Sequence, residues 1–411
     1  MEYGCIGRSL AHSFSKTIHD AIGLYEYELC EIAPGDLAAF LADRDFRGVN
    51  VTIPYKQGVI PYLDQLSPRA QTIGAVNTIV NRNGILYGDN TDFGGIQALL
   101  SRMELDVSGK KALVLDSGGT SRTANAVLES LGADKIYRVS RSAKENAVSY
   151  EQACTQHRDA QIIINTTPCG MFPDSDDQPI DPDRFPQLCG VADAIYNPLR
   201  TRLVLQAKER GLKAEGGLYM LVAQAILAAE LFTDQHIPAL EIDRIYGQLL
   251  SRVQNLVLIG MPGSGKTTVG RLLAQQLGRE LLDTDDLIVR KTGRPISDII
   301  KDQGEEHFRQ LEADVIKEAA KKTGAVIATG GGAVLRRENI FDLKQNGKLI
   351  FLDRPVEQLL PTADRPLADD EEKIRRLYHE RLSAYQKAAD LVVKAETSPD
   401  AVVQTIIGSS L

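Results

Sequence analysis

Cysteine is scarce in this sequence and poorly placed for cross-linking. Cys5, Cys30, Cys154, Cys169 and Cys189 are odd in number, widely spaced and form no CxxC pair, so neither a disulfide framework nor a zinc site is indicated. Basic charge is not in surplus either. The 47 Lys and Arg stand against 55 Asp and Glu, a net charge of −8, which excludes a broad surface for nucleic acid or anionic membrane and leaves only local basic pockets. Long apolar runs are missing: Leu218 to Phe232 is interrupted by Gln224 and Glu230 and is too short to span a bilayer. Met1-Glu2-Tyr3-Gly4 opens no basic segment leading into an apolar one. The expectation is a cytoplasmic protein with no nucleic-acid or membrane partner.

At 411 residues the chain is long enough for two or three domains, each with its own core. Fixed-period repeats are absent, and the one biased stretch is a short acidic, Pro-bearing loop at 174–183. Short apolar runs at 111–115, 162–165, 256–259, 325–328 and 348–352 alternate with helical-period segments and predict α/β units built on parallel sheets. A domain boundary is expected near Arg252, where an amphipathic helix predicted over 241–253 runs into a new strand and a glycine-rich turn. Residues 1–252 carry 24 Lys and Arg against 31 Asp and Glu, and the remainder 23 against 24, so the acidity belongs to the first part.

Gly260-Met-Pro-Gly263-Ser264-Gly265-Lys266-Thr267 fits GxxxxGK[ST] between a predicted strand and a predicted helix. Gly263, Ser264, Gly265 and Thr268 would offer backbone N–H groups to phosphates, Lys266 would reach the β and γ phosphates, and Thr267 would give a hydroxyl to Mg²⁺. This pattern calls for ATP. Asp283 and Asp285 follow an apolar pair and place two carboxylates at a strand end, one for the metal's water and one for the proton of an acceptor hydroxyl. Gly304-Glu-Glu-His-Phe308-Arg309-Gln-Leu-Glu312, Thr329-Gly330-Gly331-Gly332, Asp364-Arg365-Pro366-Leu367 and Arg381-Leu-Ser-Ala-Tyr385 complete an ordered series. Glu312, three residues after Arg309 on a predicted helix, can pair with it and position it.

In the first part, Lys56 and Asp92 stand in separate polar motifs, Gly48-Val-Asn50-Val-Thr52-Ile-Pro54-Tyr-Lys56 and Gly88-Asp-Asn90-Thr-Asp92-Phe-Gly94. Brought together they would form a proton donor and its anchor. After the predicted strand 112–115 comes Asp116-Ser-Gly118-Gly119-Thr-Ser-Arg122, a dinucleotide-type turn with aspartate where a first glycine is usual. About twenty residues later Arg141 stands where an acidic residue would select NAD, and an arginine there accommodates a 2′-phosphate, so NADP(H) is expected. Cys169 has no adjacent base and reads as a packing residue, and His12 and His19 read as structural.

The second part resembles shikimate kinase over residues 253–411, through the motif series just given. By that resemblance Asp285 binds shikimate hydroxyls and acts as the base, Arg309 and Arg381 clamp the carboxylate, and Gly331 contacts the ring through its backbone. Asp283 sits near Mg²⁺, and Arg365 comes from a lid to stabilise the transferred phosphoryl group. Two planar guanidinium forks suit one carboxylate taken out of water. One departure is Leu359-Leu-Pro361-Thr-Ala-Asp364, where many members of that family carry a further arginine.

The first part is similar to shikimate dehydrogenase over about residues 3–250. The similarity rests on the two motifs above with Gly7-Arg-Ser-Leu-Ala-His12-Ser13-Phe-Ser15, Gly74-Ala-Val-Asn77-Thr78, Asn165-Thr166-Thr-Pro-Cys-Gly170-Met171 and Asp193-Ala-Ile-Tyr196-Asn-Pro198. It implies that Lys56 and Asp92 are catalytic, that Ser13 and Ser15 bind the substrate carboxylate, and that Thr52, Asn77, Tyr196 and Gln224 hydrogen-bond the hydroxyl-bearing ring. Gly118, Gly119, Arg141, Thr166, Met171 and Gly217 fall to the cofactor.

The implied fold is α/β throughout. A bilobed dehydrogenase has an α/β substrate domain at 1–101, completed by 217–252, and a Rossmann-like NADP domain at 102–216. A P-loop kinase domain with a parallel sheet follows at 253–411. The implied function is bifunctional, in aromatic amino acid (chorismate) biosynthesis: NADPH-dependent reduction of 3-dehydroshikimate to shikimate, then MgATP-dependent phosphorylation to shikimate 3-phosphate. The alternative is an active kinase joined to a lapsed dehydrogenase-like binding or scaffold module.

Overall fold

A computed structural model describes residues 1–10, 13–141, 147–359 and 370–410. Contacts divide the chain into two compact units, Met1–Leu249 and Leu250–Leu411. The first unit opens with β1 (Tyr3–Gly7), α1 (Ser15–Ile22), β2 (Glu28–Glu31), α2 (Leu37–Asp43), β3 (Gly48–Val51), β4 (Gln65–Leu66), α3 (Pro68–Ile73), β5 (Thr78–Arg82), β6 (Ile85–Asp89) and α4 (Asp92–Arg102). Its sheet has the order β2-β1-β3-β5-β6-β4. This sheet is mixed, within the α/β class expected for this lobe. Asn83 and Gly84 turn the chain with φ of 54° and 88° into a hairpin that sets β5 antiparallel to β6, and β5 also runs antiparallel to β3.

A second lobe follows: β7 (Lys111–Leu115), α5 (Gly119–Ser130), β8 (Lys135–Val139), β9 (Ala147–Val148), α6 (Tyr150–Gln156), β10 (Ile162–Asn165), β11 (Gly190–Asp193), α7 (Arg202–Glu209) and β12 (Lys213–Glu215). Every pairing in its sheet, β12-β11-β10-β7-β8-β9, is parallel. Ile162 and Ile164 face one apolar cluster and Ile163 the other, so both faces are buried and the strand is a continuous apolar run. The helices α8 (Leu218–Thr233) and α9 (Leu240–Val253) then return the chain to the first lobe, where α8 packs on α4 and β5. Gly95 makes this close approach possible, because a Cβ there would lie 2.8 Å from the Met220 carbonyl oxygen. The Arg102 guanidinium lies against both Tyr219 and Tyr246, 4.6 and 4.5 Å from their ring centroids, while the two rings meet edge to face, and the cluster ties α4, α8 and α9 together.

The second unit comprises β13 (Asn255–Ile259), α10 (Lys266–Leu277), β14 (Leu281–Asp283), α11 (Thr284–Thr292), α12 (Ile296–Ala320), β15 (Val326–Ala328), α13 (Arg337–Asn346), β16 (Gly347–Asp353), α14 (Glu371–Ala388), β17 (Leu391–Lys394) and α15 (Pro399–Ser410). Its sheet is fully parallel in the order β14-β15-β13-β16-β17. Val257 and Ile259 point into one core and Leu256 and Leu258 into the other. Gly304, at φ 85° and ψ 165°, breaks α12 into two helical pieces, so that Arg309 lies near the start of the second. Among the described residues no helix is long and apolar enough to cross a membrane.

His19 is fully buried in the first lobe, stacked 3.8 Å from Tyr27, with Nδ1 2.7 Å from the Tyr25 hydroxyl. Burial pushes its imidazole down to about 3. The unfolded chain therefore binds a proton below about 6.5 that the folded lobe refuses, and this contribution to stability, complete above 6.5, is lost as the pH falls towards 3. His19→Phe keeps a ring in the stack. Thermal unfolding of the first unit, followed at pH 7 and pH 4.5, should show an acid-side loss smaller than wild type by on the order of 2 kcal/mol. An unchanged difference between the two pH values would contradict the assignment.

Candidate active sites

The first site lies at the start of α4. Lys56 Nζ is 2.6 Å from Asp92 Oδ2, with the two side chains 17% and 7% exposed, so the pair is held largely out of water. Asn77 Nδ2 donates to the other carboxylate oxygen at 2.9 Å, and Asn77 Oδ1 accepts from the Thr91 amide at 2.7 Å. Asn77 thus fixes both the Asp92 rotamer and the backbone leading into α4. Gln224 reaches the same cluster from α8, 3.4 Å from Asn77 Nδ2, because Gly95 lets that helix approach.

Four residues in this network, Tyr27, Asn50, Thr78 and Thr91, carry no role in the sequence reading. Asn50 accepts from the Tyr27 hydroxyl at 2.6 Å and donates to Thr78 Oγ1 at 3.2 Å, while Thr78 donates to Asn77 Oδ1 at 3.1 Å and lies the same distance from Thr91 Oγ1. The available signal was a polar residue inside a strand whose every position is buried, Gly48–Val51. Of the other expected substrate residues, Ser13 Oγ donates to Ser15 Oγ at 3.0 Å, and Tyr196 stands by them with its ring 5.5 Å from that of Phe14. Burial holds the Tyr196 hydroxyl above its ordinary range, so it stays a donor. The Thr52 backbone is locked to β1 through Ile6. His12 lies outside the described residues.

The dinucleotide turn occupies the switch point of the second sheet, where β7 has β10 on one side and β8 on the other. Gly118 is the N-cap of α5, and a Cβ on Gly119 would lie 3.6 Å from Ala75 Cβ and 3.7 Å from Lys56 Cβ, so this turn abuts the stem of the lysine. Thr166 Oγ1 donates to the Leu115 carbonyl at 2.6 Å and knits the ends of β10 and β7. Arg141 is exposed just beyond β8, Met171 is 45% exposed in the loop after β10, and Gly217 caps α8 against Ala194. These residues fit a dinucleotide with a phosphorylated ribose, with one discord: Asp116 adopts φ 110°. Burial raises the Cys169 thiol above its ordinary range, so it stays protonated.

In the second unit the P-loop joins β13 to α10. Gly260, Gly263 and Gly265 take φ of 148°, 81° and 92°, a cradle open to glycine, and Lys266 Nζ donates to the carbonyls of Gly260 and Met261 at 2.9 Å. Thr267 Oγ1 donates to Asp283 Oδ2 at 2.7 Å. Among the described residues no three His, Cys, Asp or Glu gather as a metal cage, so a divalent ion here would rely on Thr267, Asp283, phosphate oxygens and water, the usual habit of Mg²⁺.

Thr329-Gly330-Gly331-Gly332 organises the acceptor side, each glycine making room for a different neighbour. A Cβ on Gly330 would meet Glu312 Oε1 at 2.6 Å and Asp285 Oδ1 at 2.9 Å, one on Gly331 would meet Pro262 of the P-loop at 2.7 Å, and one on Gly332 would strike the Arg309 guanidinium. Arg309 is buried between two carboxylates, Glu312 at 2.7 Å and Glu305 at 2.9 Å. Arg381 Nη1 donates to the Gly331 carbonyl at 3.2 Å, and the Tyr385 hydroxyl, pushed up to about 12 by burial, donates to the same oxygen. Gly263, Lys266, Asp285, Arg309, Gly331 and Arg381 all line one cavity of about 310 Å³. Sequence reading did not single out Glu305, or Arg354, whose Nη1 lies 3.8 Å from where a Cβ on Gly265 would be. Arg365 and the segment around it lie outside the described residues.

Comparison with known proteins gives these two sites a family. The pattern of the shikimate dehydrogenase substrate binding domain matches residues 5–79, and that of shikimate kinase matches residues 262–410. A shikimate dehydrogenase (NADP(+)) from Clostridium beijerinckii is 39% identical over 249 residues, which is 56% of this chain and 92% of that protein. One from Geobacillus kaustophilus is also 39% identical, over 255 residues, covering 57% and 92%. Among solved structures, shikimate dehydrogenase 1 from Peptoclostridium difficile shares 35% identity with a TM-score of 0.56, covering 61% of this chain and 98% of that one. The Thermus thermophilus shikimate 5-dehydrogenase in complex with NADP(H) and shikimate shares 32% at a TM-score of 0.55, covering 60% and 99%. The chain belongs to the shikimate dehydrogenase family and continues into a shikimate kinase domain.

Proposed function

We propose that this chain carries out two consecutive steps: NADPH-dependent reduction of 3-dehydroshikimate to shikimate, and MgATP-dependent phosphorylation of shikimate to shikimate 3-phosphate. Two observations support the reading, the Lys56–Asp92 pair at 2.6 Å and the cavity that joins the P-loop to the Arg309 and Arg381 guanidiniums. A cytoplasmic enzyme acting on these small molecules is the corresponding reading of compartment and partners.

In the dehydrogenase site NADPH supplies the hydride. Lys56 gives its ammonium proton to the oxygen of the reduced carbonyl, and Asp92 holds the ammonium and the substrate hydroxyl in place. Asn77 keeps Asp92 aimed, Ser13 and Ser15 receive the carboxylate, and Thr52, Tyr196 and Gln224 hold the ring. Gly118, Gly119, Arg141, Thr166, Met171 and Gly217 hold the dinucleotide. Intact Lys56 and Asp92 in a pre-assembled network speak against a lapsed scaffold.

In the kinase site ATP supplies the phosphoryl group. Asp285 takes the proton of the acceptor hydroxyl, Lys266 and the amides of Gly263, Ser264, Gly265 and Thr268 bind the phosphates, and Thr267 and Asp283 hold Mg²⁺. Arg309 and Arg381 bind the carboxylate, and the Gly331 backbone orients the ring. The lid role assigned to Arg365 belongs to the same proposal.

Two substitutions test this division. Lys56→Ala should lower NADPH-dependent reduction by at least 10³-fold while leaving ATP-dependent phosphorylation of shikimate within twofold of wild type, read by absorbance and ADP release. Comparable losses in both reactions would contradict two separate sites. Gly332→Ala places a methyl group against the Arg309 guanidinium and displaces it from Glu312 and Glu305, so the Tm of the second unit should fall, and the KM comparison is made on protein that circular dichroism shows to be folded. KM for shikimate should rise about tenfold or more against a nearly constant KM for ATP, and an effect dominated by ATP would show that Arg309 is not a carboxylate clamp.

A further inference from the structure

The discord in the dinucleotide turn has a geometric origin. Asp116 ends β7 and stands at φ 110°, a backbone region that favours glycine and strains a residue with a Cβ. The strain persists because the peptide groups are held on both sides. The Asp116 amide donates to the Val139 carbonyl at 2.9 Å, and its own carbonyl accepts from the buried Ser121 hydroxyl at 2.8 Å. With the backbone so pinned, the side chain projects over the helix start, and a Cβ on Gly118 would lie 3.0 Å from Asp116 Oδ2.

Gly118 is the N-cap of the 12-residue helix α5, and it provides no side-chain cap of its own. The first-turn N–H groups there, with the positive end of the helix dipole, are what a pyrophosphate would use. The Asp116 carboxylate therefore sits beside the place an anion must enter. Two like charges a few ångströms apart at a half-buried site oppose each other by an amount worth about tenfold in affinity.

We propose that Asp116 sets the affinity of the dehydrogenase for NADP(H), its carboxylate opposing the pyrophosphate at the N-terminus of α5 and keeping cofactor binding weaker than the glycine turn alone would make it. Asp116 is an affinity-determining residue with no part in proton or hydride transfer. Weak holding of the dinucleotide favours rapid release of the oxidised form after each turnover. This inference rests on the dehydrogenase reading.

The test uses the full-length protein and direct binding, followed by NADPH fluorescence and by calorimetric titration with NADP⁺. Asp116→Asn removes the charge and keeps a side chain of the same shape, while Asp116→Gly also removes the backbone strain. Asn should tighten NADP(H) binding about tenfold, and Gly at least as much with a Tm raised by a few degrees, both with ATP binding to the kinase unit unchanged. If Asp116→Asn binds NADP(H) no more tightly than a wild type that reduces 3-dehydroshikimate, the inference is overturned and the dehydrogenase reading stands. If glycine tightens binding and asparagine does not, backbone strain rather than charge is responsible, and the inference is again overturned. A wild type that neither binds NADP(H) nor reduces the ketone would overturn the underlying reading itself.

Discussion

Charge taken out of water must be paired and hydrogen-bonded, and both sites in this chain are built around that cost. Lys56 and Asp92 neutralise each other in the first unit, and Arg309 and Glu312 do so in the second. Neither pair stands alone. Asn77 satisfies the second oxygen of Asp92, and Glu305 reaches the far side of Arg309, so each ion is held in one orientation by a third group. The surrounding architecture follows from keeping these groups dry and aimed: α8 pressed onto α4 at Gly95, and Arg309 laid flat on Gly332.

The two units place their chemistry by the same rule. In each parallel sheet the strand that leads into the glycine turn is central, and the residues of the proposed site gather at the carboxyl ends of the strands beside it. In the kinase unit β13 carries the P-loop, while β14 and β15 on one side bring Asp283, Asp285 and the glycine triplet. β16 on the other side brings Arg354 to Gly265. In the dehydrogenase unit β7 carries the Asp116 turn, with Thr166 after β10 and Arg141 after β8. The acidity concentrated in the first unit is compatible with anionic ligands because recognition falls to individual positions rather than to net charge.

Legibility in the sequence tracks how local each interaction is. The P-loop was readable whole, because its backbone conformation is encoded by the glycines that adopt it. The parallel sheet of the second lobe was readable too, since strands buried on both faces appear as unbroken apolar runs. In the first lobe the α/β class was expected, while the direction of individual strands, such as β5 against β6 across the Asn83-Gly84 turn, is set by local turns that apolar rhythm does not encode. The Tyr27–Asn50–Thr78 chain links residues far apart in sequence, and no spacing pattern announces it. The distinct neighbours of Gly330, Gly331 and Gly332 are likewise set by three separate segments that only the fold brings together. Asp116 was visible as an oddity in its motif, and its backbone angle supplied the physical meaning.

The central claim is that one chain holds two working sites, the product of the first being the substrate of the second. It is tested most directly by supplying the full-length protein with 3-dehydroshikimate, NADPH and MgATP and following NADPH loss, ADP formation and the products together. Once shikimate has reached its steady level, about one ADP should form for each NADPH oxidised, with shikimate 3-phosphate accumulating. NADPH oxidation that leaves unphosphorylated shikimate as the end product, or no NADPH oxidation by a protein that phosphorylates added shikimate, would contradict it.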